Sequence, residues 1–323
     1  MSVGVVINPR SAGNGRRGER LRQALRPHRH VLVEILNPFE RLDEALGRLA
    51  AADVELVVIS GGDGTVHAIQ TWLGNSGRFA VLPRLAILPH GTTNMTAADV
   101  GLSIRDPEKV ADFLSRPGFL RRATRLRSRP TVRVANAIGR EPLLGMFLGT
   151  GAIYRAVVKC QRDVHRLGLK GELASAVTLV QALARALVGP PPEPGDPDRI
   201  DSGDPMTIVA DGVVRASGMQ LLFLATTLER LVLGTRPFWN QGGGKLHATA
   251  IAHPPRNILR NLPSVMYGGP MRRLREPDFV SFGADAIELE AGVPFVMDGE
   301  LLEAPAGEPL RISTGPAFEY LCG

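Results

Sequence analysis

Apolar and polar positions divide the chain into two regions with different periodicities. In the first region, short β-branched runs alternate with amphipathic stretches of helical spacing, and runs at 56–59 and 85–88 are apolar throughout. Such runs are typical of strands buried on both faces of a parallel sheet. Strands are predicted at 3–7, 31–36, 56–59 and 85–88, and helices at 17–25, 42–51, 66–73, from 95 and after 107. This alternation predicts a parallel α/β sheet with right-handed crossovers.

From Thr131 the pattern changes to short alternating runs, which predict a mainly antiparallel, β-sandwich-like domain. The predicted strands lie at 131–138, 143–148, 206–210, 213–216, 219–226, 245–251, 278–282, 286–290 and 293–297. Asp211-Gly212 has the composition of a hairpin turn. A helical insertion is predicted at about 156–188, followed by a polar, Pro- and Gly-rich loop at 189–205. The predicted domains are therefore 1–128 and 129–309.

Composition narrows the class of protein. The chain has 323 residues, of which 44% are hydrophobic, and this composition predicts soluble globular domains. It has only two cysteines, so no disulfide framework is expected. The start shows no basic leader, and the apolar stretch 173–188 is too short for a membrane span, so a cytoplasmic location is expected.

The net charge of +6 indicates attraction to an anionic surface. Aromatic residues make up 5% of the chain and no nucleic-acid-binding motif is present, so no nucleic-acid partner is expected and an anionic membrane surface is favoured. Arginines recur at 121, 122, 125, 127, 129 and 133. This basic run is either a solvated linker face or a patch that contacts the membrane surface.

Two glycine-rich corners follow predicted strands and precede predicted helices. The first is Ser60-Gly61-Gly62-Asp63-Gly64-Thr65, and the second is Pro89-His90-Gly91-Thr92-Thr93-Asn94. Glycine lets the backbone approach a ligand closely, and the N-terminus of a helix attracts an anion, so both corners are typical of phosphate binding. Asp63 would repel phosphate unless a divalent cation bridges them or the carboxylate faces the nucleophile. A Gly-rich turn with an N-capping aspartate is the alternative.

Two further loops carry candidate residues. Asn8, Ser11, Gly13 and Gly15 lie in a polar loop after the first strand and could hold a nucleotide phosphate. Because the carboxyl ends of parallel strands share one edge, the loops at 8–15, 61–65 and 89–94 are expected to line one crevice. Asp298-Gly299-Glu300 follows a strand in the second region, where it is either a hairpin turn or an acidic pair for phosphoryl transfer.

Taken in order, these motifs resemble the diacylglycerol kinase catalytic-domain superfamily, specifically its soluble bacterial lipid kinases, which are related to sphingosine and ceramide kinases. The resemblance implies a nucleotide-binding α/β domain, a β-rich lipid-binding domain, and a C-terminal segment at about 310–323 that packs near the domain junction. It also implies an ATP- and Mg²⁺-dependent kinase that phosphorylates a hydroxyl of a membrane lipid, with peripheral attachment to the membrane.

The resemblance further implies site residues. ATP would contact Asn8, Ser11, Gly13, Gly15, Gly61, Gly62, Gly64, Thr65, Gly91, Thr92 and Asn94. Glu300 corresponds to the proton acceptor, with Asp63 and Asp298 in the same acid-base and magnesium group. The residues alone do not decide which carboxylate is the base.

This chain departs from the family pattern at three places, one of which is His67, where relatives commonly have asparagine. Thr93 and Met95 replace a glycine and an acid of the second corner, and Gly242–Gly244 lacks the acid that holds a structural magnesium in many relatives. Diacylglycerol, a ceramide or sphingoid base, and phosphatidylglycerol all remain possible acceptors. The alternatives are a kinase for a soluble substrate such as NAD, and a regulator that binds nucleotide or lipid without catalysis.

Overall fold

The computed structural model describes residues 2–11, 14–116, 125–167, 200–239, 242–268 and 278–323. These residues form two compact units. The first contains the chain up to Arg129 together with Pro316–Gly323, and the second lies within 130–315. Two strands, β5 and β15, contribute residues to both units.

The first unit is a parallel α/β sheet. Its strands are β1 (Val3–Ile7), β2 (Val31–Ile35), β3 (Leu56–Gly61) and β4 (Arg84–Pro89). They lie in the order β2-β1-β3-β4, all parallel. The C-terminal end of β15 (Leu310–Cys322) continues the sheet, because Tyr320 pairs in parallel with Leu85 of β4. The apolar runs of β1 and β3 are fully buried, as the sequence predicts.

Helices cover this sheet. They are α1 (Asn14–Leu25), α2 (Leu42–Ala51), α3 (Asp63–Ser76), α4 (Met95–Val100) and α5 (Pro107–Ser115). Leu21 and Leu25 of α1 and Val110 and Leu114 of α5 pack with the strands in one core. Asp106 caps α5 by accepting a hydrogen bond from the Glu108 amide.

The second unit is mainly antiparallel. Its strands are β5 (Arg125–Val134), β6 (Leu143–Gly145), β7 (Phe147–Gly151), β8 (Asp204–Ala210), β9 (Val213–Thr226), β10 (Leu246–Ala252), β11 (Phe279–Ala284), β12 (Ala286–Glu290), β13 (Phe295–Met297), β14 (Glu300–Leu302) and the first part of β15. The main path is β14-β13-β7-β9-β8-β12-β15, while β10 pairs with β9 and β11. The predicted antiparallel fold is confirmed.

The long strand β9 separates two apolar layers of this unit. Phe223 and Ala225 face one core cluster, and Leu222 and Leu224 face the other. The second cluster also contains residues of α6 (Ala152–Leu167) and α7 (Ile258–Tyr267), so these helices pack on one face of the sheet. Alternation with period two therefore gives β9 two buried faces.

Several predicted boundaries were wrong. Helix α3 begins at Asp63 rather than at 66, because Gly62 is extended and its carbonyl accepts the amides of Thr65 and Val66. Likewise α1 begins at Asn14, since the Asn14 amide donates to the Ser11 carbonyl. Apolar periodicity begins only where side chains pack, so it does not detect these first turns.

Differences in the second unit have similar causes. The predicted strands 213–216 and 219–226 are one strand, β9, in which Gly218 has a φ of 104°. The predicted helical insertion begins at Ala152 instead of 156, and the part beyond 167 lies outside the described residues. In the predicted loop, 189–199 also lies outside them, and β8 already begins at Asp204.

Further corrections concern β5, β6 and β7. The predicted strand 131–138 ends at Val134, and 143–148 divides into β6 and β7. Arginines 125, 127, 129 and 133 lie on β5, whereas 121 and 122 lie outside the described residues. The C-terminal strand continues to Cys322. Among the described residues, no helix combines the length and apolar character needed to cross a membrane.

Candidate functional site

The first glycine corner connects β3 directly to α3. Gly62 serves as the N-cap of this 14-residue helix, and Asp63, Gly64 and Thr65 form its first turn. A helix N-terminus carries partial positive charge and amides that point outward. A Cβ on Gly64 would meet nothing within 4 Å, so open space adjoins this turn. The corner therefore has the geometry of an anion cradle.

Close backbone contact joins the first corner to the second. A Cβ on Gly91 would lie 2.2 Å from the Cα of Gly62 and 3.0 Å from its amide nitrogen. On the other side, a Cβ on Gly62 would lie 3.1 Å from Ser11 Oγ. Only glycine permits this approach, so the loops after β1, β3 and β4 converge as the sequence predicts.

The Asp63 carboxylate holds the two corners together. Its Oδ2 accepts a hydrogen bond of 3.0 Å from the Met95 amide, and its Oδ1 accepts one of 2.9 Å from the Thr96 amide. Asp63 thus supplies the side-chain cap of α4 from a different helix. It is half-buried, and its carboxylate is oriented by two donors in the first turn of α4.

Asn94 closes the second corner on itself. Its Oδ1 accepts from the Gly91 amide at 2.7 Å, and its Nδ2 donates to the Gly91 carbonyl at 2.7 Å. Asn94 has a φ of 51°, in the left-handed region that asparagine tolerates. This reciprocal pair fixes the loop on which Thr92 lies half-buried.

A buried amide network holds the loop after β1. Asn8 donates through Nδ2 to Thr65 Oγ1 at 2.9 Å. Asn14 donates through Nδ2 to the carbonyls of Asn8 and Ser60, both at 2.8 Å. Ser60 Oγ lies 3.2 Å from Asn14 Oδ1. Asn8, Asn14 and Ser60 are buried, so these hydrogen bonds are shielded from water and specify one arrangement.

His90 connects this network to the second corner. The ring is fully buried, and its Nδ1 lies 2.9 Å from Ser60 Oγ. The pKa of His90 is lowered to about 4, mainly because burial disfavours the charged ring. The backbone of Arg105 acts against this shift, and the nearby Arg17 cation adds a smaller lowering effect. His90 is therefore neutral at physiological pH.

The remaining residues predicted for nucleotide binding lie around this network. Ser11 donates through Oγ to the His90 carbonyl at 3.4 Å, and Gly15 is exposed in the first turn of α1. Gly61 packs against the Thr65 side chain, and any residue with a Cβ at position 61 would displace that side chain. Gly13 lies outside the described residues. The glycine backbones and the α3 N-terminus fit the phosphates of a nucleotide.

In the second unit, Asp298 is a buried residue of a hairpin turn whose next residue, Gly299, is exposed. Asp298 and Gly299 join β13 to β14 with φ values of 47° and 91°. The Asp298 carboxylate accepts the Met146 amide at 2.8 Å and the Phe147 amide at 3.1 Å. Asp298 thereby fixes the chain between β6 and β7, and its carboxylate is used structurally in the same way as that of Asp63.

Glu300 follows this turn and is more accessible. Its Oε1 lies 2.5 Å from Arg140 Nη2, and the two side chains are 35% and 51% exposed respectively. The carbonyl of Gly299 accepts a hydrogen bond from Gln161 of α6 at 3.1 Å. The acidic turn is therefore held on two sides while the Glu300 carboxylate stays in contact with water.

The metal assignment to Asp63 and Asp298 has limited support from side chains. Among the described residues, no three His, Cys, Asp or Glu side chains gather as metal ligands. Each aspartate already accepts two amides, although carboxylate oxygens retain further lone pairs. Mg²⁺ commonly uses one or two carboxylates together with phosphate oxygens and water. Asp63 by itself, in the first turn of α3, can therefore serve as a carboxylate ligand for a magnesium that arrives with phosphate.

Sequence reasoning did not assign roles to Asn14, His90 and Arg140. Asn14 lay within a loop whose glycines suggested phosphate contact, and its buried amide was not anticipated. The Asn14–Ser60 hydrogen bond joins residues 46 positions apart, and the Ser60–His90 hydrogen bond joins residues 30 positions apart. Both depend on the order of the strands in the sheet, which local sequence patterns do not reveal.

Comparisons with known proteins cover the first unit best. Residues 2–122 match the family described as the diacylglycerol kinase catalytic domain. The chain is 34% identical over 102 residues to a probable YegS-like lipid kinase of Enterobacter sp. strain 638, covering 30% of this chain and 32% of the relative. It is 33% identical over 112 residues to one of Stenotrophomonas maltophilia strain K279a, covering 33% and 35%. The matched segment thus spans about a third of each relative.

The fold similarity extends over the whole chain. A crystal structure of a diacylglycerol kinase from Bacillus anthracis strain Sterne aligns with a TM-score of 0.62 and 17% identity. The alignment covers 99% of this chain and 96% of that one. At this identity the similarity concerns the fold of both units.

Proposed function

We propose that this protein, whose residues 2–122 match the diacylglycerol kinase catalytic-domain family, is a kinase that transfers the γ-phosphate of ATP to a hydroxyl group of a membrane lipid. The observation that carries the proposal is the Gly62–Gly91 contact, which brings two glycine corners and the Asn8 loop to one edge of a parallel sheet. Nucleotides bind at this edge in open α/β sheets.

The first unit holds the nucleotide in this proposal. Backbone amides at the start of α3 and the loop from Gly91 to Asn94 bind phosphate oxygens, and Ser11 and Thr92 add hydroxyl groups. Mg²⁺, bound with the phosphates, supplies positive charge that stabilises the transferring group. Asp63 lies at the first turns of α3 and α4, where its carboxylate can orient the hydrated cation.

The second unit supplies the acceptor side. Glu300 is the base that accepts the proton of the lipid hydroxyl, since its carboxylate is accessible and attached to a rigid turn. Asp298 positions that turn through Met146 and Phe147. A peripheral contact with an anionic membrane brings the lipid to the enzyme, and the net charge of +6 supports it.

The direct test is transfer of labelled phosphate from ATP to purified lipids in mixed micelles. The panel contains diacylglycerol, ceramide, sphingosine and phosphatidylglycerol, with NAD as a soluble acceptor. We expect Mg²⁺-dependent labelling of at least one lipid. Folded protein that labels only NAD would support a soluble-substrate kinase, and tight ATP binding without any labelled product would support a non-catalytic regulator. Either result would overturn the proposal.

Asp63→Asn provides the matched variant, with Asp106→Asn as its control. Both aspartates accept amides at the start of a helix. Asparagine keeps the single cap of Asp106, whereas at Asp63 it keeps one of two hydrogen bonds, because only one of its side-chain atoms accepts. Only Asp63 lies at the proposed site. Transfer should fall by roughly 10²-fold or more in Asp63→Asn and stay near wild type in Asp106→Asn. Equal rates in both variants would remove Asp63 from the catalytic group.

A further inference from the structure

The loop at 227–239 in the second unit presents an apolar side chain in an unusual conformation. Leu233 is 47% exposed and has a φ of 55°, a left-handed backbone that is costly for leucine. Gly234 follows with a φ of 72°. A strained apolar residue that gains no burial within its own unit points to a role outside the fold.

The loop is held rigidly, so the exposure of Leu233 is built into its structure. The Leu231 amide donates to the Thr235 carbonyl at 2.8 Å, and the Gly234 amide donates to the Leu231 carbonyl at 3.0 Å. Leu228, Leu231 and Thr235 are buried. Leu233 and Gly234 are exposed between the buried anchors Leu231 and Thr235.

The same loop is bound to the end of helix α7. The Arg236 amide donates to the Met266 carbonyl at 2.7 Å, which places the loop beside Tyr267. Tyr267 is 60% exposed at the last position of α7. Arg260 lies seven residues earlier and is also exposed, so both project from one face of the helix. The loop that carries Leu233 is therefore joined by its backbone to the end of α7, where Tyr267 lies.

Charge on this loop and on α7 is mainly positive. The loop carries Arg230 and Arg236 with a single acid, Glu229, and α7 carries Arg260 with no acid. Exposed leucine and tyrosine surrounded by arginine match the interfacial zone of an anionic bilayer, where aromatic rings lie at headgroup level and apolar tips enter the acyl region.

We infer that Leu233 and Tyr267, flanked by Arg230, Arg236 and Arg260, form a docking surface for anionic lipid bilayers. Leu233 enters the acyl boundary, Tyr267 lies among the headgroups, and the arginines face lipid phosphates. The inference rests on the proposed function, since a lipid kinase must reach its acceptor in a membrane. Binding of the protein to vesicles is measurable without nucleotide or catalysis, so the docking surface and the proposed kinase function can fail separately.

The test is co-sedimentation of the full-length protein with vesicles of phosphatidylcholine, with and without phosphatidylglycerol. Leu233→Asn is the key variant, because asparagine accepts the left-handed backbone while removing the apolar group. Val81→Asn is its control, since Val81 is 82% exposed and lies in the first unit. We expect Leu233→Asn to weaken binding to the anionic vesicles by roughly tenfold. Val81→Asn should bind as wild type does.

A second arm tests the charges. Arg230→Gln and Arg260→Gln should each weaken binding to anionic vesicles by about fivefold and reduce its dependence on salt. Circular dichroism melting confirms that each variant is folded. Equal binding by Leu233→Asn, Val81→Asn and wild type would overturn the inference. So would binding of RNA that requires the arginines while anionic vesicles are not bound.

Discussion

The backbones of Gly62 and Gly91 are in direct contact, and a Cβ on Gly91 would stand 2.2 Å from the Cα of Gly62. The two residues begin the loops that lead into α3 and α4. Their contact sets the separation of the N-termini of these two helices. Asp63 reinforces it by capping α4 from α3.

Replacement of Gly91 by alanine should separate the two corners. The added methyl group meets backbone rather than a flexible side chain, so the unfolding free energy of the first unit should fall by about 1–3 kcal/mol. ATP affinity should fall with it, since the loops no longer converge. Thermal denaturation and titration calorimetry with ATP measure the two effects.

The control for this substitution is Gly47→Ala. A Cβ on Gly47 would meet mainly the terminal nitrogen of Arg78, which can move aside. This variant should retain both stability and ATP affinity. If Gly91→Ala behaves like Gly47→Ala, the backbone contact does not organise the site.

Gly64→Ala should separate binding from stability. Gly64 lies in the first turn of α3, and its Cβ would enter open space. Alanine is the better helix residue, so the melting temperature should stay level or rise. If phosphate occupies that space, the methyl group should weaken ATP binding by roughly tenfold or more. Calorimetry on Gly64→Ala and Gly47→Ala measures this, and unchanged ATP affinity in both would place the phosphates elsewhere.

The fold was largely predictable because its two periodicities differ. Fully apolar runs such as 56–59 identified buried parallel strands, and alternation after Thr131 identified an antiparallel unit. Element boundaries were harder to predict at positions that lack apolar residues. The first turn of α3 contains Asp63, Gly64 and Thr65, and β9 passes through Gly218 without interruption.

The candidate site was predictable to the level of its loops but not of its hydrogen bonds. Glycine corners after β3 and β4 indicated one binding edge, and Gly62 and Gly91 do meet there. The partners of Asp63 could not be foreseen, because they are amides of the next corner, 32 and 33 residues away. Arg140 approaches Glu300 across 160 residues, with no local pattern to link them.

Asp298 and Glu300 should differ in what their substitution disturbs. Asp298→Ala leaves the buried amide of Met146 without its acceptor and puts alanine at a φ of 47°, so it should destabilise the second unit by about 3 kcal/mol. Glu300→Gln loses only a partly exposed ion pair, which should change stability by less than about 1 kcal/mol. Urea denaturation measures both variants.

Activity then assigns their roles. Glu300→Gln should reduce phosphoryl transfer by roughly 10²–10⁴-fold at nearly unchanged stability. Arg140→Ala is the control, because it breaks the same ion pair and keeps the carboxylate. Full activity in Glu300→Gln would exclude Glu300 as the base. Loss of activity in Asp298→Ala alone would indicate only a disrupted turn.

His90 should make the first unit sensitive to acid. Burial holds the pKa of His90 at about 4, against an ordinary value of 6.5, so between these values the unfolded state binds more protons than the native state. The unfolding free energy should therefore fall by about 1.4 kcal/mol per pH unit as pH decreases below 6.5. Urea denaturation from neutral pH to about pH 5, in a Trp239→Phe background where Trp72 reports on the first unit, measures the slope. His90→Gln should flatten it, whereas His30→Gln, at an exposed histidine, should not. Equal slopes in wild type and His90→Gln would show that another group is responsible, and that the Ser60–His90 hydrogen bond does not depend on a neutral ring.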